Sequence, residues 1–180
     1  RRVIKAALSS SLIPENLGVA QLEYIVDGGL VLRELGGDYL RAAGEMWTLK
    51  SNPRLTHLYL TRAQDAKQPG DHVVILVGVL PDAINVGYQN FREAVVTAVN
   101  NQPIRSLADV FRILDRDQHI RRLSLQGCGQ DIILEADPTQ RAAANQRLAK
   151  TYRIPAMQYQ RSANQTSGRK AAPGEREPGK

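Results

Sequence analysis

Ala83-Ile84-Asn85-Val86-Gly87-Tyr88-Gln89, followed by Ala98-Val99-Asn100-Asn101-Gln102-Pro103-Ile104, decides how this chain folds. A small-residue helical turn ends at Gly87. A β-branched run, Ala94 to Val99, then reaches an Asn-Asn turn. Beyond it, Leu107, Val110, Phe111 and Leu114 recur at helical spacing. Ser106 stands where a helix N-cap belongs, and Asp109 three residues later makes a partial capping box.

Working outward toward the N-terminus, Tyr24-Ile25-Val26 and Leu30-Val31-Leu32 are two apolar runs split by Asp27-Gly28-Gly29. Aspartate and glycine tolerate positive φ, so the pattern predicts two strands around a tight turn or glycine loop. Asp38 is placed to cap a helix through Tyr39, Leu40, Ala43 and Trp47. Asn52-Pro53 puts proline at the first position of a second helix carrying Leu55, Leu58, Tyr59 and Ala63. Pro69-Gly70-Asp71 ends that pair. His72 to Leu80 is nearly continuous in apolar residues, which predicts a strand buried on both faces. Toward the C-terminus, Leu123-Ser124-Leu125 and Ile132-Ile133-Leu134 flank Gly127–Asp131 and read as a closing hairpin. Pro138 opens a helix that runs to about Tyr152 and stops near Pro155.

The expected organisation is therefore a strand (Val3 to Leu8) and linker over 1–21, a folded module over 22–137, a helix packing on it over 138–158, and a basic, disordered tail over 159–180. No internal repeat is visible.

Composition bounds the function. The chain has 180 residues, 42% of them hydrophobic, enough for the core of one ordinary domain. Its net charge of +6 is uneven. Residues 141–180 hold nine Lys/Arg against two acids (+7), and residues 1–140 hold 15 against 16 (−1). The folded part is neutral, and the basic charge belongs to one helix and the tail. Arg141, Arg147, Lys150 and Arg153 read as a solvated helix face, with only Tyr152 and Tyr159 nearby to stack bases, so nucleic acid is not the expected partner. Arg121-Arg122 reads as a solvated strand edge. The longest apolar run, Val73 to Leu80, is far too short to span a bilayer, and no membrane partner is expected. No signal-peptide pattern is visible, but a chain that opens on Arg1 reads as a fragment, so the compartment stays open.

Catalytic motifs are missing. His57, His72 and His119 fall in three separate elements without metal-ligand spacing, and Cys128 has no second cysteine to pair with. His57 and His119 read as solvated surface residues, and Cys128 as an exposed, unreactive thiol. There is no G-x-S-x-G elbow, no phosphate loop and no dinucleotide fingerprint. The expectation is no catalytic residue, no metal and no cofactor. The glycine pair has two readings at this point. Gly28-Gly29 is either a plain hairpin turn or an anion-binding loop in which successive N–H groups at Gly29, Leu30 and Val31 converge on a carboxylate.

The residues also carry a resemblance. The order of small-residue turn, Val-Asn turn and helix resembles the second half of a PDZ domain, which points to a recognition module. Tyr24–Leu35, Asp38-Tyr39-Leu40 with Trp47, and Val73–Tyr88 with its Ile84-Asn85-x-Gly87-Tyr88 run resemble the second, C-terminal PDZ-like domain of HtrA/Deg-type serine proteases. The likeness spans about residues 22–155, through Arg153-Ile154-Pro155. It implies an α+β fold: a bent antiparallel sheet or partly open β-barrel capped by helices, with a two-helix insertion (Asp38 to Ala63) and a C-terminal helix. It implies a bacterial or organellar setting and a non-catalytic region of a protease that controls substrate presentation or oligomer assembly. Peptide C-termini, a neighbouring protease or PDZ domain, or a second copy would be its partners. The carboxylate loop would be Gly28, Gly29, Leu30 and Val31, and the groove helix would present Leu107, Val110, Phe111 and Leu114. One apolar stripe cannot both pack inward and line a groove, so Val110 and Leu114 are assigned to the core, and Leu107 or Phe111 to the rim. The two-helix insertion departs from an ordinary peptide-binding PDZ and weakens the free-peptide reading, with a purely structural assembly module as the alternative.

Overall fold

The computed structural model describes residues 11–17, 23–116 and 120–159. Three sequence-based expectations lie outside the described residues: the strand Val3 to Leu8, His119, and the tail from Ser162 onward.

Strands β1 (Tyr24–Asp27) and β2 (Leu30–Glu34) form the first hairpin. Then come α1 (Gly37–Arg41), α2 (Trp47–Lys50), α3 (Pro53–Arg62) and β3 (Val74–Val79). A 3-10 turn (Ala83–Asn85) leads to β4 (Ala94–Val99) and the short β5 (Gln102–Pro103). Helix α4 (Leu107–Leu114), β6 (Ile120–Leu125), β7 (Ile132–Glu135), α5 (Pro138–Tyr152) and β8 (Gln158–Tyr159) complete the order. All strands join one open antiparallel sheet in the order β7-β6-β4-β3-β2-β1-β8, with β5 paired to β4. The fold is α+β, and the barrel does not close.

Each face of the sheet has its own core, and β3 explains why. Val74 and Leu76 point into the larger core, with Leu107, Val110, Leu123 and Ile132. Val73 and Ile75, displaced by one residue, point into a second core under the inserted helices, with Leu35, Leu40 and Leu55. Side chains alternate along a strand, so a continuous apolar run needs cover on both sides. The insertion supplies that cover.

Local signals hold in most places. Asn52 Oδ1 accepts from the N–H groups of Arg54 at 2.9 Å and Leu55 at 3.4 Å, capping α3 ahead of Pro53. Asp137 caps α5 in the same way, accepting from the Gln140 N–H at 2.8 Å. Asn100 and Asn101 take φ of 49° and 62°, as a two-residue β4–β5 turn requires.

The first inserted helix differs from expectation. Its N-cap is Gly36, and Asp38 does not cap it; the Asp38 carboxylate lies 3.6 Å from Arg33 Nη2 instead. The helix also stops at Arg41, Gly44 turns with φ +91°, and Trp47 begins a separate helix. Trp47 then meets Tyr59 of α3 edge to face, with ring centroids 5.8 Å apart. Two basic expectations are corrected as well. Arg121 (4% exposed) and Arg141 (5%) are buried, not solvated, for reasons that belong to the site.

Candidate functional site

The glycine pair makes a two-residue turn. Asp27 pairs with Leu30 across it, and Gly28 and Gly29 have φ of +58° and +89°, the left-handed pair of a type I′ hairpin. Three hydrogen bonds fix this turn in place, two of them made by asparagine side chains. Asn85 Nδ2 donates to Gly28 O and to Leu80 O, each at 2.8 Å. The Leu80 N–H donates to Gly29 O at 2.8 Å. From α5, Asn145 Oδ1 accepts the Gly28 N–H at 2.8 Å. The turn is thus held from beneath by the 3-10 turn and from above by the C-terminal helix. Arg147 anchors that helix further, with Nε and Nη2 donating to Asp82 at 3.1 and 2.7 Å, and this pair holds the Asp82 pKa below the usual carboxylate range.

Leu30 and Val31 lie inside the sheet. On one side they pair with Asp27 and Val26, on the other with Val79 and Gly78. The edge of β2 away from β3 is therefore taken by β1. The far edge of β1 is taken in turn by β8, with Tyr24 opposite Tyr159 and Ile25 opposite Gln158. The Val26 N–H donates to Met157 O at 2.6 Å, and Tyr24 Oη donates to Ala156 O at 2.9 Å. An incoming strand would find both neighbours of β2 in place.

Asp27, at the end of β1, is 7% exposed and organises the buried arginines. Its Oδ2 accepts from Arg121 Nε at 3.2 Å, and its Oδ1 accepts from Asn145 Nδ2 at 3.3 Å and lies 3.7 Å from Arg141 Nε. The remaining guanidinium donors turn to backbone. Arg121 reaches Leu114 O at 2.7 Å and Arg116 O at 3.0 Å, and Arg141 reaches Ala136 O at 3.1 Å. A buried charge needs a partner and filled hydrogen bonds, and each of these has both. The cluster ties β1, the end of α4, β6 and α5 into one unit.

Helix α4 sits with its apolar stripe inward. Leu107 and Val110 are fully buried and Leu114 is 7% exposed, while Phe111 is half-buried at the margin of the core. Leu107 thus lies in the core and not on a rim. Its N–H donates to Glu34 Oε1 at 3.0 Å, and Glu34 Oε2 lies 2.6 Å from His72 Nδ1. The hydrogen bond to Glu34 raises the His72 pKa above its ordinary value, against the opposing effect of partial burial. His57 is exposed, Cys128 is half-buried against the core, and among the described residues no group of three or more His, Cys, Asp or Glu is placed to hold a metal. No helix among the described residues is long and apolar enough to cross a membrane.

A family model for the PDZ domain matches residues 13–163. The chain belongs to the PDZ domain family. PDZ domains are non-catalytic modules that interact with peptides or other protein domains, and the fold described above is one of them. This PDZ domain is also similar to Protease Do-like 2, chloroplastic, of Arabidopsis thaliana, at 28% identity over 104 residues. That stretch is 58% of this chain and 16% of the relative, so the chain spans only a small part of that protein's length. The likeness to a PDZ domain of an HtrA-like protease, read from Tyr24–Leu35 and Val73–Tyr88, stands on these findings.

Sequence reasoning gave Asn85 and Asn145 no part in the site and read the two buried arginines as solvated. A signal existed for the arginines: Arg121 shares a strand face with Leu123 and Leu125, and Arg141 shares a helix face with Ala144 and Leu148.

Proposed function

We propose that this PDZ domain is a docking and assembly module of an HtrA/Deg-type protease, engaging a neighbouring domain or subunit rather than capturing free peptide C-termini. One observation carries the reading: β2 is hydrogen-bonded to the chain's own strands along both edges. Strand addition needs an open edge, and β1 occupies the one a peptide would use. The Gly28 N–H, at the start of the expected carboxylate loop, already meets Asn145, which ties that loop to α5. Docking of this kind would position the protease's catalytic domain and so govern substrate presentation.

The test joins this chain to the region that precedes it in its parent protein and follows assembly by light scattering. A defined oligomer or a tight intramolecular complex is expected, together with no measurable affinity for a library of peptides with free C-termini. The receptor reading, with Gly28, Gly29, Leu30 and Val31 as carboxylate loop beside the helix of Leu107, Val110, Phe111 and Leu114, rests on the family resemblance. Peptide binding that disappears when the peptide terminus is amidated would favour it and displace ours.

A further inference from the structure

A groove remote from the β2 edge lies between the inserted helix α3 and strand β4, closed at one end by the Gln126–Cys128 turn. It has a volume of about 660 Å³. Leu55, Leu58 and Val95 give it an apolar floor, and Arg54, Arg62 and Arg92 line it with charge. Glu93, the single acid in the lining, has its carboxylate engaged by Tyr39 Oη at 3.2 Å. Burial, followed by Glu93, pushes the Tyr39 pKa up to about 12, so this partner stays a neutral donor. Arg62 shares its charge with Asp65 at 3.2 Å, while Arg54 and Arg92 project exposed side chains at the wall. A second cavity of about 330 Å³ continues along the same strand and shares Leu58, Arg62 and Val95 with the first. The two together follow β4 from Ala94 to Thr97, roughly 13 Å of strand and room for about four extended residues.

We propose that this groove receives an extended segment of a partner protein that carries leucine-like side chains beside aspartate or glutamate. Charge decides the occupant. An apolar floor alone would take any hydrophobic segment, but across the two cavities each lining acid is already engaged, Glu93 by Tyr39, Asp65 by Arg62 and Asp71 by Arg105 at 3.7 Å, so the exposed Arg54 and Arg92 favour carboxylate side chains and repel lysine. The inference rests on the docking reading above and assigns that docking a surface outside the PDZ peptide edge.

The chain's one cysteine, Cys128, lines the groove and supplies a second readout. The probe is an N-acetylated, C-amidated peptide, Asp-Leu-Leu-Asp-Asp-Leu, with a fluorescent label, titrated by anisotropy against the whole chain. Binding is expected, with slower alkylation of Cys128 in the complex. The double variant Arg54→Glu/Arg92→Glu is expected to weaken binding by about tenfold or more and to improve binding of the lysine-for-aspartate peptide. Equal binding by the double variant, or by the lysine peptide to the wild-type chain, overturns the assignment. Binding only when the peptide carries a free carboxyl terminus overturns it too. So does self-association of this chain that the arginine substitutions abolish, which would give the groove to a second copy. Loss of groove binding with assembly to the preceding region intact defeats this inference alone. Intact groove binding without assembly defeats the docking reading alone.

Discussion

Asn85 is fully buried, and its side-chain nitrogen donates to the carbonyl of Gly28 at 2.8 Å across 57 residues of sequence. The same nitrogen serves Leu80 O at 2.8 Å, and Oδ1 accepts from the Asp82 N–H at 3.1 Å. Asn85→Ala leaves those backbone groups without their partner. Each buried unpaired group costs about 1–3 kcal/mol, so a loss on the order of 3 kcal/mol is expected in urea unfolding. Asn85→Asp keeps the acceptor but sets a carboxylate against two carbonyls, and is expected to lose at least as much. A loss below about 1 kcal/mol for Asn85→Ala would mean that the hairpin does not depend on this clamp.

The clamp leaves no room at Gly29. A Cβ added there would collide with the Leu80 carbonyl and Asn85 Nδ2, on backbone at φ +89°. Gly44 has φ +91° with nothing within 4 Å of the added atom, and so isolates the conformational part. Gly44→Ala is expected to lose about 1–2 kcal/mol from left-handed backbone alone. Gly29→Ala should lose clearly more, because the turn must also move away from Leu80. Equal losses by thermal unfolding would refute close packing at the turn.

Asp27 faces two buried guanidinium groups, from Arg121 and Arg141. Removing one member of a buried ion cluster leaves charge uncompensated, so Asp27→Asn is expected to destabilise by about 3–5 kcal/mol. Arg121→Met alone should also destabilise, since it strands the Leu114 and Arg116 carbonyls. The paired replacement Asp27→Leu/Arg121→Met removes both charges together. Its loss should fall short of the sum of the corresponding single substitutions by about 1–3 kcal/mol. Additive losses would show that the two side chains act separately.

These residues mark where the sequence ceased to be legible. Turn and cap chemistry is local, so Gly28-Gly29, Asn52-Pro53, Ser106 and Pro138 announced their elements from adjacent residues alone. The double burial of β3 was visible for the same reason, as an unbroken apolar run. The Asp27–Arg121 pair joins residues 94 apart, and nothing near either one names the other. Strand alternation does put Arg121 on the face of Leu123 and Leu125, but arginine is a residue type seldom buried, so charge and period point opposite ways there. Asn85 sits in a three-residue 3-10 turn with no periodicity to report its burial. The groove was equally hidden, because its walls come from an insertion, a central strand and a distant hairpin turn.

His72 gives a pH-dependent prediction. Its Nδ1 lies 2.6 Å from Glu34 Oε2, and the His72 backbone N–H donates to Arg105 O at 2.6 Å, so the residue braces the start of α4. The Glu34 hydrogen bond raises the folded-state pKa above the value of about 6.5 expected for the unfolded chain, with smaller contributions from the Asp71 and Glu23 charges. The folded state therefore holds the proton more tightly than the unfolded state. The stabilisation is complete below the unfolded pKa and is lost as pH rises through the raised folded pKa. Urea midpoints measured from pH 5.5 to 8.5 should fall with rising pH over that window. His72→Gln should flatten the slope there, and Glu34→Gln should flatten it as well by removing the carboxylate that holds the proton. The Glu34 variant keeps an oxygen that can accept the Leu107 N–H, so its loss of slope should exceed its loss of stability at pH 8.5. An unchanged slope in both variants would place the pH dependence elsewhere in the chain.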